Sequence, residues 1–133
     1  MKNIFRWLAV LPGAFVAMIL VNTLNALTFG FVLPDFFDEC LKSWFGSMAF
    51  VGAAYYIAPK GKVITAIIVA TAYCALGIFG VLAALNHGEA AHPAWVEITM
   101  IIISVAASVL ACLIAVSIEN DLKSESLKKA EQN

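Results

Sequence analysis

Uncharged stretches of hydrophobic residues divide this chain into long segments separated by short charged ones. The three clearest stretches run from residue 7 to beyond residue 27, from 63 to 85 and from 98 to 118. Each has about the ~20 apolar residues that an α-helix needs to cross the ~30 Å hydrocarbon core of a bilayer. The pattern therefore predicts three membrane-spanning helices.

A further hydrophobic segment, residues 43–58, has only 16 uncharged positions, which is short for a complete crossing. Upstream of it, Pro34 suits the start of a helix, and the acidic residues that follow favour the positive end of a helix dipole. We therefore predict one helix over 35–58, with its first two turns among the lipid headgroups. A re-entrant half-helix is the alternative, but the polar turn at 59–62 favours a complete crossing.

These elements predict an all-α, polytopic membrane protein with a bundle of four transmembrane helices. The predicted spans are 5–27, 35–58, 63–85 and 95–118, and a polar tail follows over 119–133. We expect the first helix to remain uncleaved, because Pro12 interrupts its apolar stretch and the residues after it form a poor signal-peptidase site.

Basic residues are distributed unevenly between the two faces of this topology. Seven of the eight, all except Lys42, lie on the face that holds both termini and the 59–62 turn. Because Lys and Arg accumulate on the cytoplasmic side of membrane proteins, we predict that both termini are cytoplasmic. The charge bias and the compact organisation favour the inner membrane of a bacterium.

The composition agrees with a bilayer environment. Hydrophobic residues make up 62% of the 133-residue chain and charged residues only 13%, against about 45–50% and 25% in soluble domains. A soluble domain of this size has too little interior for so much apolar surface. The net charge of −1 and the lack of a basic run argue against nucleic acid as a partner.

Small residues recur at four-residue spacing on every predicted span. Such stripes mark close helix–helix contacts in membranes, because small side chains let backbones approach. Their members include Gly13 and Ala17, Ala49 and Ala53, Ala66 and Ala70, and Ala107 and Ala111. The stripes predict a tight bundle, a homo-oligomer, or association with other membrane subunits.

Polar residues gather in the half of the first helix that points away from the basic face. Asn22, Asn25 and Thr28, with Tyr73 of the third helix, are predicted to line a polar vestibule open on that side. The simpler interpretation is that both asparagines hydrogen-bond to neighbouring helices. No ionisable residue lies in the middle of a span, which argues against a proton-coupled carrier.

One loop concentrates side chains that are able to bind a metal. His87, Glu89 and His92, with Glu97 one turn into the last helix, are a possible divalent-metal site. Their spacing does not match the helical HExxH pattern. Solvated loop histidines, and a glutamate that favours the start of its helix, are the simpler interpretation. No cofactor is predicted otherwise.

These features favour a small non-catalytic membrane protein that acts through helix–helix association, as a homo-oligomer or as the membrane subunit of a larger complex. Two alternatives stay open. The first is a small channel or facilitator that uses the polar vestibule. The second is a membrane enzyme that uses the His and Glu residues of the loop before the last helix.

Overall fold

The computed structural model describes residues 2–88 and 93–131, and these residues form four helices. They are α1 (Lys2–Phe29), α2 (Asp35–Ile57), α3 (Lys62–His87) and α4 (Ala94–Glu131). The described part of the chain contains no strand, so the prediction of an all-α fold is confirmed.

Proline and glycine set the ends of the helices. Pro34 precedes α2, and its carbonyl oxygen accepts hydrogen bonds from the backbone N–H groups of Phe37 and Asp38 at 2.9 and 3.2 Å. Gly61 before α3 and Gly88 after it have φ values of 60° and 68°. A glycine adopts this left-handed backbone without the steric cost that a side chain would add. The breaks between the helices are therefore encoded locally.

The second helix lies at the centre of the bundle. It packs against α1 on one side and against α3 and α4 on the other. Among the described residues, no α-carbon of α1 comes within 8 Å of an α-carbon of α3 or α4. The position of α1 therefore depends on its interface with α2.

Two buried clusters hold the helices together, one on each side of α2. The first joins α1, α2 and α3 and consists of Val10, Ala14, Phe50, Ala54, Ala58 and Val69. The second joins α2, α3 and α4 and consists of Val51, Tyr55, Ala66, Ala70, Ala111 and Ala115. Consecutive residues Phe50 and Val51 belong to different clusters, so α2 is buried on two sides.

Both clusters lie in the same half of the bundle. This half contains the start of α1 and the α2–α3 turn, with Arg6, Lys60 and Lys62, and we call it the basic end. The opposite half contains the α1–α2 turn and the starts of α2 and α4, with Asp35 and Glu97, and we call it the acidic end. The bundle is thus packed most closely towards its basic end.

Three helices are long and apolar enough to cross a membrane, namely α1, α3 and α4. The protein therefore has the helices of an integral membrane protein. The central helix, α2, carries several polar residues, including the buried Asp38 and Ser47. Lys42 pairs with Asp38 at 2.6 Å and with Glu39 at 3.0 Å, which offsets part of the cost of burying these charges. That α2 forms a fourth crossing stays a prediction.

The last helix is longer than a bilayer requires. Its 38 residues correspond to about 57 Å at ~1.5 Å per residue, against a hydrocarbon core of ~30 Å. The helix continues past residue 118 through the polar segment to Glu131, and the side chains of residues 120–128 are exposed. The predicted polar tail is therefore helical over most of its length.

Candidate functional site

An open cleft separates α3 from α4 in the acidic-end half of the bundle. Towards the basic end, Ala66 and Ala70 of α3 pack with Ala111 and Ala115 of α4. Between Ala70 and the end of α3 at His87, no residue is buried. Small side chains therefore hold the two helices close at one end, and the helices separate towards the other.

This α3–α4 cleft has a volume of about 360 Å³. Its lining comes from α3 and α4, with one aromatic ring from α1. The lining residues are Phe15, Tyr73, Cys74, Leu76, Gly77, Ile78, Val81, Glu97, Met100, Ile101, Ser104 and Val105. Because most of these side chains are apolar, the cleft suits an apolar occupant.

Tyr73 is the one predicted vestibule residue that lines the cleft. Its ring lies 5.0 Å from that of Phe50, which in turn lies 5.0 Å from that of Phe15. Aromatic contacts at this distance are favourable beyond the area that they bury. The three rings therefore fix Tyr73 at the basic-end limit of the cleft.

The other predicted vestibule residues lie elsewhere. Asn22 and Asn25 belong to the side of α1 that faces α2, where a Cβ built on Gly46 would meet the side-chain oxygen of Asn22 at 2.8 Å. Asn25 is only 8% exposed. Thr28 is exposed, and its hydroxyl donates to the carbonyl oxygen of Leu24 at 2.7 Å. The structure thus does not bring the four residues together around one space.

The two asparagines retain unused hydrogen-bonding atoms. Asn22 Oδ1 and Asn25 Nδ2 are buried and have no partner among the described residues. A buried amide without a partner costs about 1–3 kcal/mol, which favours a small polar occupant such as water between α1 and α2. This position is separate from the α3–α4 cleft.

Most of the predicted helix-packing residues are used within the chain. Ala66, Ala70 and Ala111 belong to the second buried cluster, and Ala107 is completely buried. Gly13 lies against Ile57 of α2. The remaining residues, Ala17, Ala49 and Ala53, are half-buried. These stripes are therefore explained by the tight bundle, and they leave little small-residue surface for a second copy.

A different pair of small residues faces outward. Gly77 and Gly80 of α3 are exposed, and a Cβ built on either meets no atom within 4 Å. The stripes considered from the sequence did not include these glycines. The spacing of Gly77, Gly80 and Ala84 within the apolar part of α3 was the signal that pointed to them. Residues three and four apart share one face of a helix.

Two of the four residues of the predicted metal site lie in the part of the chain that the structure describes. His87 is exposed at the end of α3, and Glu97 lines the α3–α4 cleft. Glu89 and His92 lie outside the described residues. Within residues 2–88 and 93–131, no group of three or more His, Cys, Asp or Glu side chains is placed to hold a metal ion.

Comparisons with known proteins add no further information on this site. No model of a protein family, no curated protein and no solved structure matches the chain.

Proposed function

We propose that this chain is a small non-catalytic integral membrane protein that acts through helix–helix association. In this proposal, the acidic-end half of α3 binds a transmembrane helix of a second copy or of another subunit. The protein would lie in the inner membrane of a bacterium with both termini in the cytoplasm, as the distribution of its basic residues favours.

The observation that carries this proposal is the outward-facing pair Gly77 and Gly80, which we call the α3 glycine surface. Glycine costs a helix interior about 1 kcal/mol relative to alanine. A Cβ atom at either position would meet no described atom of this chain within 4 Å, so the internal packing leaves room for alanine at both positions. In a lipid environment, glycine at a helix surface allows the close approach of a second backbone.

The neighbouring cleft supports the same interpretation. Gly77 lines it, and Leu76 beside it is 68% exposed. Van der Waals packing is a principal attraction between helices in lipid. The cleft has a volume of about 360 Å³. A side chain of a partner helix that enters it would contact atoms on both walls. A bulky apolar residue of a partner helix would fit between α3 and α4.

A test of the proposal replaces both glycines with leucine. We expect Gly77→Leu with Gly80→Leu to weaken association about tenfold, because the added side chains hold a second helix away. The matched control is Ala106→Leu on α4, where the replaced side chain is also exposed. Energy transfer between donor-labelled and acceptor-labelled copies in lipid vesicles measures association between identical chains.

Association with a different subunit is detected by photocrosslinking in native membranes, with a photoreactive residue placed at position 76. The proposal predicts an adduct, with a second copy or with another membrane protein, that the glycine substitutions remove and the control retains. A wild-type protein that gives neither energy transfer nor an adduct would show that the proposal is wrong. An adduct that persists in the double variant would do the same.

The channel alternative has less support. It requires a continuous polar route, whereas Asn22 and Asn25 lie on the α1–α2 side of the bundle and Tyr73 lines a cleft of mostly apolar residues. The enzyme alternative depends on Glu89 and His92 as well as on His87 and Glu97, and it stays a hypothesis.

A further inference from the structure

A second groove lies between α1 and α3 at the basic end of the bundle. It has a volume of about 530 Å³. Its lining comes from the first turns of α1, the α2–α3 turn and the first half of α3. The lining residues include Trp7, Lys60, Ile64, Ile68, Val69 and Ala72.

The groove is closed on its inner side and open to the surroundings of the bundle. Val10 and Val69 are buried and belong to the first core cluster, so they form its floor. Ile64 and Ile68 are 65% and 62% exposed and form part of its rim. None of the four described helices covers this groove, so in a bilayer it is open to lipid.

The length of the groove matches one lipid leaflet. Along α3 it runs from Gly61 to Ala72, which is about 16 Å at ~1.5 Å per residue. Half of a ~30 Å hydrocarbon core is ~15 Å. A single acyl chain that starts at the membrane surface therefore reaches the far end of the groove.

The mouth of the groove carries the positive charge of Lys60, which lines it and is exposed. Within the part of the chain that the structure describes, no carboxylate lies within 4.0 Å of the Lys60 ammonium group. The next lysine, Lys62, has its ammonium group 5.6 Å from the centre of the Tyr55 ring and does not line the groove. The charge of Lys60 is therefore available to a ligand.

We infer that this groove binds one anionic phospholipid. Its phosphate lies against Lys60 at the membrane surface, and one acyl chain extends along Ile64 and Ile68 towards Ala72. Basic residues at the surface attract anionic lipids, and Trp7, in the second turn of α1, suits the headgroup region in which tryptophan is enriched. The α3 glycine surface lies towards the opposite end of α3, so this lipid site is independent of helix association.

Tryptophan fluorescence tests this site directly. Trp44→Phe with Trp95→Phe leaves Trp7 as the only tryptophan of the chain. The protein is placed in vesicles of equal parts phosphatidylglycerol and phosphatidylcholine, with brominated acyl chains on one of the two lipids. Bromine quenches tryptophan on contact, so comparing the two preparations gives the relative occupancy of the groove by each lipid.

We expect phosphatidylglycerol to be preferred about fivefold or more, the contribution of one lysine at a membrane surface. Lys60→Gln should reduce this preference about fivefold. The control Lys128→Gln, on the exposed end of α4, should retain it. Equal quenching by both lipids in the unmodified groove would overturn the inference, and so would an unchanged preference in Lys60→Gln. Protection of Trp7 from both lipids would indicate a protein occupant and would equally overturn it.

Discussion

A Gly46→Leu substitution is expected to lower the free energy of unfolding by about 3 kcal/mol, the upper part of the range for overpacked sites. Gly46 is buried in α2 at its contact with α1. A Cβ there would lie 2.8 Å from Asn22 Oδ1, 3.1 Å from its Nδ2 and 3.3 Å from its Cγ. The amide can move away from a single methyl group, but a leucine needs the space that the whole Asn22 side chain occupies.

The effect should be large because α2 is the only described helix whose backbone lies close to α1. In the described structure no α-carbon of α3 or α4 lies within 8 Å of α1, and α3 meets α1 through side chains such as Val69. The α1–α2 contact is therefore the main one that positions α1. Denaturation in lipid or detergent measures the change. Disulfide crosslinking between cysteines introduced on α1 and α2 reports separation of the two helices.

A second glycine on the same helix provides the control. A Cβ on Gly52 meets no atom within 4 Å, and leucine has a higher helix propensity than glycine. Gly52→Leu should therefore be neutral or stabilise the protein by up to about 1 kcal/mol. If both substitutions destabilise equally, the close α1–α2 contact at Gly46 is wrong.

An Ala107→Leu substitution should also destabilise the protein by about 3 kcal/mol. Ala107 is completely buried in α4, and it lies one turn before Ala111 of the second core cluster. Three added carbon atoms have no free space at a fully buried position, so the packed helices must separate. Thermal unfolding of the purified protein measures the loss.

A leucine at the neighbouring residue is the control for helix propensity and hydrophobicity, because it changes both without changing the packing within the chain. Ala106 is exposed, and Ala106→Leu should change the unfolding free energy by less than about 0.5 kcal/mol. The account also predicts that Ala107→Leu destabilises an isolated monomer. If Ala107→Leu alters only oligomer formation and leaves monomer stability unchanged, this alanine stripe serves association and our assignment of it to the fold is wrong.

The positions of the helices could be predicted from the sequence because they depend on local features. The expected ends at the three turns lie within three residues of the observed ends. Long uncharged runs specify α1, α3 and α4. Pro34 marks the start of α2, and Gly88 marks the end of α3. Chain geometry and hydrophobicity are enough at this level.

The arrangement of the helices could not be predicted in the same way. The helix that is not among the three with a long apolar stretch, α2, occupies the centre. This position follows only from how all four helix surfaces fit together. A small-residue stripe indicates close contact without specifying the partner, so the stripes did not distinguish packing within the chain from association. Asn22 is a related case. The sequence predicted its position along the first helix, but it did not predict which helix its side chain contacts.

The candidate site illustrates the same limit. The sequence places Tyr73 and Glu97 on different helices with many residues between them, and only the divergence of α3 and α4 brings both to one cleft. Gly77 and Gly80 are ordinary for a membrane helix by composition. Their significance comes from the empty space around them, which is a property of the folded bundle.

The central prediction is that α2, which packs between the other helices, forms a fourth crossing of the membrane. Single cysteines test it in a background in which Cys40, Cys74 and Cys112 are replaced by serine. The three positions to label are Val32, Lys60 and Ser124, each of which is exposed. A membrane-impermeant maleimide, applied to sealed cells and to permeabilised ones, gives the side of each position.

The account predicts that Val32→Cys is labelled in sealed cells, and that Lys60→Cys and Ser124→Cys are labelled only after permeabilisation. Labelling of Val32→Cys and Lys60→Cys from the same side would show that α2 does not cross, which would contradict the four-span topology.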